Sequence, residues 1–254
     1  MQKKWKFINN ELTHQNFDFE FKFTKHKKHS SELIKEAIKH GFTNFISVGG
    51  DGTLHNIVNG VLSLNPTNIS EIKIGIIAVN YKKAIDIIKS LKTINQDIGK
   101  LTISSTNKTV YFNNLTGIGF DGYVVNKVNS YKKLGFLAYL VGALVSLTRY
   151  KKSTLEIAFN NIILKGKTLM LLIGLCKYSD GRMQLTKDSN PIDGLFDISY
   201  IKNITLLTIL GNIKSLFNCK ITNHKLNLFI KSNCFRYTKN VHSSGWRVNW
   251  NWRF

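Results

Sequence analysis

Four phenylalanines alternate with polar residues in "FDFEFKF" (Phe17 to Phe23). That period of two predicts a strand with one buried face. The next segment, "HSSELIKEAIKHG", changes to helical spacing, with Leu33, Ile34 and Ile38 on one side. Ser30 or Ser31 is placed to cap its start and Gly41 to stop it. Lys39 and His40 suit its negative C-terminal end. "NFISV" predicts a second strand. Past the glycines that follow, Leu54, Ile57, Val58, Val61 and Leu62 resume helical spacing. "IKIGIIAV" (Ile72 to Val79) is a continuous apolar run, the pattern of a parallel strand covered on both faces. "YKKAIDIIKSLK" reads as one more helix. Strand and helix thus alternate over residues 17–92, which predicts an α/β fold with a doubly wound N-terminal domain.

The pattern changes near Lys100. "KLTIS", "TVYFNNLTGIGFDG", "TLEIAFNNIILKGKTLMLLIGL" and "LFDISYI" read mostly as strands with turn residues between them. Two helices interrupt, one near 134–148 and one near 204–217. The expected organisation is an α/β nucleotide-binding domain over residues 1–99 and a β-rich, sandwich-like domain over 100–254.

Composition narrows the classes. The 254 residues are 43% apolar, enough for real cores. Cys176, Cys219 and Cys234 are odd in number and lack C-x-x-C spacing, which argues against a disulfide framework or a zinc site. The N-terminus has no apolar signal-like stretch, and the longest apolar run, Leu134 to Leu147, is shorter than the ~20 residues a bilayer requires. A cytoplasmic protein, peripheral at the inner membrane surface, is expected. The net charge is +21, but the lysines are dispersed and no nucleic-acid-binding signature accompanies them. Charge therefore suggests transient contact with an anionic membrane surface rather than a nucleic-acid partner. General abundance of Lys, Asn and Ile is the plainer source of that charge.

Three glycines in four residues, Gly49, Gly50 and Gly52, separate the strand "NFISV" from its helix. A strand that ends in glycines and opens a helix suits an anion. Backbone N–H groups point outward, the helix dipole favours negative charge, and the glycines admit close approach and unusual dihedrals. Thr53 can cap the helix or bond a phosphate oxygen. Asp51 is the odd residue, because a carboxylate repels phosphate unless Mg²⁺ lies between them. A tight strand–helix turn with Asp51 as a capping group explains the glycines equally well.

The whole string G-G-D-G-T is similar to the motif of a kinase superfamily that includes diacylglycerol kinases, sphingosine kinases, NAD kinases and phosphofructokinases. "TGIGFDGYVVNKVN", "KLGFLAYLVGALVSLTRYK" and "CKYSDGRMQLTKDSNPIDGLFDI" follow in the order seen in diacylglycerol-kinase-type lipid kinases. The resemblance covers residues 17–235. It implies ATP and Mg²⁺ as cofactors and phosphorylation of a lipid hydroxyl such as that of diacylglycerol. It also implies an in-line transfer that a base assists. Gly49, Gly50, Asp51, Gly52, Thr53, Leu54 and His55 would form the nucleotide site, with His55 standing where asparagine is usual. Thr24 matches a nucleotide-contacting threonine. Asp121 in "GFDG" matches an acid of a Mg²⁺–water network. Asn190, Asp193 and Leu195 match a metal loop of hard oxygen donors. Ordinary turn roles for "GFDG" and "NPIDGL" stay open. The partners expected are a lipid substrate, an anionic membrane surface and a homodimer.

Three family segments have no counterpart. An N-P-x-x-G phosphate loop would precede the first helix, inside which Met1 is expected to lie. A G-T-G-N-D-like loop would follow "GIIA", but Val79-Asn80 runs straight into Tyr81. No D-G-E, whose glutamate is the base, occurs anywhere, so no catalytic base is named. The tail "GWRVNWNWRF" holds three of the four tryptophans. A TGG codon read one base later begins with GG and encodes glycine. The shifted tail then permits D-G-E-L-I-G-T-G-D, so residues 241–254 are expected to be out of frame. A catalytically inactive remnant is the first alternative function, and an NAD kinase is the second.

Overall fold

The computed structural model describes residues 4–26, 28–78, 80–103, 106–120, 122–123, 142, 145–151, 153–159, 162–178, 185–186, 188–202, 227–232, 234–239 and 245–253. The chain divides into two compact units, Met1–Gln96 and Asp97–Arg253.

The first unit is layered α/β. Helices α1 (Trp5–His14), α2 (His29–Lys39), α3 (Asp51–Leu64) and α4 (Tyr81–Lys89) flank the parallel strands β1 (Asn44–Val48) and β2 (Lys73–Ile77). On one face, Ile8 and Leu12 of α1 pack with Ile77 and Ile85, supported by Ile46 and Val48. On the other, Ile34 of α2 and Ile57 and Val61 of α3 pack with Ile72, supported by Phe45 and Ile74. Ile77 and Ile85 are fully buried. Burying such a side chain contributes about 1.5–3 kcal/mol, which fixes the sheet between its helices. Gly60 lets α2 and α3 meet closely, because a methyl group there would lie 2.9 Å from the Ser31 carbonyl oxygen and against the Ile34 side chain.

Several expectations change here. Residues 17–23 are extended but form no strand, because no ladder partner lies beside them among the described residues. Alternation sets side-chain direction, whereas a strand also needs a neighbouring edge. Phe17 and Phe19 pack onto the α1–α4 core, while Phe21 and Phe23 stand half exposed. Neither Ser30 nor Ser31 caps α2. The helix begins two residues earlier than a Ser30 cap would set it, after Lys28 at φ 70°, and the turn is closed by Lys25 N–H donating to His29 Nδ1 at 2.9 Å. Gly41 does end it, at φ 88°. β2 is not covered on both faces throughout, since Ile76 is 44% exposed.

The second unit is built from β3 (Asp97–Ile103), β4 (Lys108–Phe112), β5 (Leu115–Gly119), β6 (Ser153–Phe159), β7 (Ile162–Gly174), β8 (Phe196–Lys202), β9 (Asn227–Ser232), β10 (Cys234–Lys239) and β11 (Gly245–Arg253). Their order is β4-β3-β11-β10-β6-β7-β8-β9, all antiparallel, with β5 added to β7. The long β7 pairs β6 along Ile162–Thr168 and then β5 and β8 along its second half. Leu171, Ile173, Phe196, Ile198 and Tyr200 form its core with Phe112, Leu155 and Ile157. Residues 145–149 are helical. Most of the helix expected at 134–148, and all of that at 204–217, lie outside the described residues. The tail forms β11 between β3 and β10.

No described helix is long and apolar enough to cross a membrane.

Candidate functional site

The glycine turn lies where β1 hands over to α3. Gly49 N–H donates to the Ile77 carbonyl at 3.0 Å, so the turn begins tied to the end of β2. Gly50 is the N-cap of α3, at φ −96° and ψ −171°. The left-handed backbone expected of such glycines is absent, since the positive-φ glycines among the described residues are Gly41, Gly119 and Gly194.

Space, not torsion, explains the three glycines. A methyl group on Gly49 would lie 2.5 Å from Thr53 Oγ1 and 2.9 Å from Thr53 Cβ, so that position is closed by the protein itself. Methyl groups on Gly50 and Gly52 would meet nothing within 4 Å. Those two glycines leave an open approach to the backbone at the helix start. The amides of Thr53 and Leu54 already donate to the Gly50 carbonyl, at 3.0 and 3.3 Å. Those of Asp51 and Gly52 have no acceptor within the helix, and the helix dipole adds partial positive charge. This is an anion-binding arrangement.

Asp51 is exposed in the first turn, and Thr53 packs over Gly49. Leu54 is buried, so only its backbone faces the turn. Asn59 Nδ2 donates to the His55 carbonyl at 2.8 Å and lies 3.5 Å from His55 Nε2. Burial pushes the His55 imidazole below its ordinary value of 6.5. Folding therefore favours neutral His55. Its contribution is complete above the unfolded value near 6.5 and is lost as pH falls through the lowered folded value. In thermal melts between pH 7.5 and 5, the wild type should lose more stability than His55→Asn. Parallel losses would show that folding does not disfavour the charged imidazole of His55.

Thr24 is exposed at the end of the extended segment, and no hydrogen bond among the described residues joins it to the glycine turn. Asp121 lies outside the described residues. His26, His29 and Glu32 bring their ligand atoms within 4.8 Å of one another at the start of α2, a group that no sequence motif indicated.

The metal-loop residues come together in the second unit. Asn190 Oδ1 accepts from Ile192 N–H at 3.3 Å, Asp193 Oδ1 accepts from Leu195 N–H at 3.0 Å, and Gly194 sits at φ 73°. These are the bonds of an Asx turn. Asp97, at the start of β3, was missed by sequence reasoning. Its carboxylate accepts from Gly194 N–H at 2.6 Å and its own N–H donates to the Pro191 carbonyl at 2.7 Å. It is fully buried, so it anchors the turn from 97 residues away. The available signal was an isolated acid opening an apolar strand. Ser189 Oγ is buried beside the turn without a hydrogen-bond partner. These oxygen donors fit a hard cation such as Mg²⁺. Asp193→Ala should lower the melting temperature more with Mg²⁺ present than after chelation, since binding stabilises only the folded state. Equal losses would leave the turn with a structural role alone.

Comparison with known proteins agrees with this layout. The model for the diacylglycerol kinase catalytic domain matches residues 1–80. That for the YegS C-terminal NAD kinase beta sandwich-like domain matches residues 114–232. Diacylglycerol kinase of Bacillus subtilis (strain 168) is 28% identical over 186 residues, covering 70% of this chain and 61% of its own length. Diacylglycerol kinase of Staphylococcus haemolyticus (strain JCSC1435) is 29% identical over 194 residues, covering 72% and 57%. The chain thus spans about three fifths of these relatives. A crystal structure of a diacylglycerol kinase from Bacillus anthracis str. Sterne shares the fold, with a TM-score of 0.66 at 16% identity, over 95% of this chain and 88% of that one. Because the two domain models match in tandem and in order, the chain belongs to the diacylglycerol-kinase-type lipid kinase family.

Proposed function

We propose that this chain binds the phosphates of ATP on the Gly49–His55 turn. By descent its reaction is transfer of the γ-phosphoryl group to a lipid hydroxyl such as that of diacylglycerol. The observation that carries the reading is the open approach over Gly50 and Gly52 at the start of α3. Residues 1–99 would serve as the ATP-binding domain and 100–254 as the lipid-kinase C-terminal domain.

Amides of the first turn of α3 would hold phosphate oxygens, and Thr53 would hold Gly49 in place. Asp51 would hold Mg²⁺, which supplies charge neutralisation on the phosphates when bound, and Asp121 keeps, by resemblance alone, the role of an acid in a Mg²⁺–water network. Asn190, Asp193 and Leu195 would hold a second, structural cation, with Asp97 keeping that turn in shape. The partners proposed are a lipid substrate, an anionic membrane surface contacted transiently and a second copy of the chain. Nucleic acid is not among them.

No catalytic base is assigned, because no D-G-E occurs in the chain. The connection between β2 and α4 carries a second specific observation. Asn80 directly caps α4, its side chain accepting from Lys83 N–H at 3.3 Å. The short connection therefore closes with an ordinary cap, and among the described residues it has no left-handed position. No room remains there for a G-T-G-N-D-like loop. This favours a member of the family that binds nucleotide but turns over poorly or not at all.

Calorimetric titration tests the binding. Mg-ATP should give a saturable isotherm, and NAD none. Saturable NAD binding followed by its phosphorylation would favour the NAD kinase reading, and no ATP binding at all would overturn the proposal.

A further inference from the structure

We propose that Trp5, Phe21 and Phe23 with Lys22, Lys25 and Lys28 form the surface by which the protein docks on an anionic lipid bilayer. The choice of partner rests on the lipid-kinase reading, whereas the surface itself is read from the structure.

Three aromatic rings cluster on the first unit. Trp5 and Phe21 have ring centroids 4.7 Å apart, Trp5 and Phe23 5.7 Å, and Phe21 and Phe23 5.5 Å. Trp5 also packs on the α1–α4 core, so the cluster has a rigid base. Phe21 and Phe23 are nonetheless 50% and 44% exposed. Two adjacent, half-exposed phenylalanines are a cost in water unless something apolar covers them. The same core holds Val48, the residue before the glycine turn, so the aromatic surface and the turn grow from one support.

Charge selects the cover. Lys22, Lys25 and Lys28 are exposed, and "FKFTKHKKHS" from Phe21 to Ser30 contains no acid. The flanking acids are Asp18 and Glu20 before the phenylalanines and Glu32 after the lysines, the last with its carboxylate 3.6 Å from His26 Nε2. A second copy of this surface would bring like charges together. Single-stranded nucleic acid would want parallel ring faces. Here Phe21 and Phe23 meet at 74° and Trp5 and Phe23 at 80°, so the rings spend their faces on each other. Ring edges beside lysines suit the boundary between headgroups and acyl chains, with anionic lipid near the ammonium groups.

The test is sedimentation of the full chain with vesicles containing no diacylglycerol and no ATP. Failure of the kinase reading therefore leaves it unaffected. Vesicles of phosphatidylglycerol and phosphatidylcholine should bind the chain, and phosphatidylcholine alone should not. Phe21→Ser with Phe23→Ser should weaken binding at least ~10-fold, as should Lys25→Glu with Lys28→Glu. Lys165→Glu with Lys167→Glu, on β7 of the second unit, should change it far less. Circular dichroism checks that each variant folds; exposure of the substituted side chains favours this. Binding unchanged by the aromatic pair overturns the proposal. So does equal binding to neutral vesicles, preferential binding of single-stranded DNA, or a vesicle-free dimer that the aromatic pair dissolves.

Discussion

The purified chain is expected to transfer no measurable phosphate from ATP to diacylglycerol. Loss of an oriented base alone costs ~10²–10⁴-fold in rate, and no D-G-E base occurs in the 254 residues. Phosphoryl transfer depends chiefly on positioning and on charge stabilisation. The connection from Ile77 to Tyr81 passes directly into the Asn80 cap, so it offers neither the threonine nor the acid of a G-T-G-N-D-like loop. These losses fall on different parts of one transition state, which places turnover below ordinary detection. The assay is formation of labelled phosphatidic acid from γ-labelled ATP. Robust product, abolished by Asp51→Ala, would show that the remaining residues suffice.

Gly50→Val should abolish Mg-ATP binding, with at least a ~100-fold rise in Kd, while leaving the fold intact. An added Cβ meets no non-neighbouring atom within 4 Å, and the backbone at φ −96° and ψ −171° is one that valine adopts readily. What it fills is the approach through which a phosphate would reach the amides of the first turn of α3. Gly49→Val is the contrasting variant. There the clash is with Thr53 and the expected consequence is lost stability. Unchanged calorimetric binding by folded Gly50→Val would move the nucleotide site elsewhere.

Elements set by local sequence were legible. The helix that Gly41 ends, the strand "NFISV" and the helix that Asp51 opens need only near neighbours to specify them. Features that depend on a distant partner were not. Alternation in Phe17 to Phe23 revealed which side chains share a side, but the missing ladder left that segment extended without being a strand. No serine caps α2, because Lys28 adopts φ 70° at the N-cap and shifts the helix start, with His29 Nδ1 accepting from Lys25 N–H in the turn before it. The glycine turn was found by its motif, yet the reason for its glycines differs at each position. Gly49 yields to Thr53, while Gly50 and Gly52 leave space open. Asp97 could not be found locally, since its carboxylate works on Gly194 across 97 residues. The tail shows the converse. Trp246, Val248 and Trp250 alternate with Arg247 and Asn249, a local period of two that matches the strand residues 245–253 form.

Hydrogen exchange with and without Mg-ATP tests the central claim most directly. The amides of Gly50 to Gly52 should exchange more slowly with nucleotide bound, because phosphate oxygens would accept their hydrogen bonds, and Leu115–Gly119 in β5 should be unaffected. Saturable binding that leaves Gly50 to Gly52 unprotected would contradict the account.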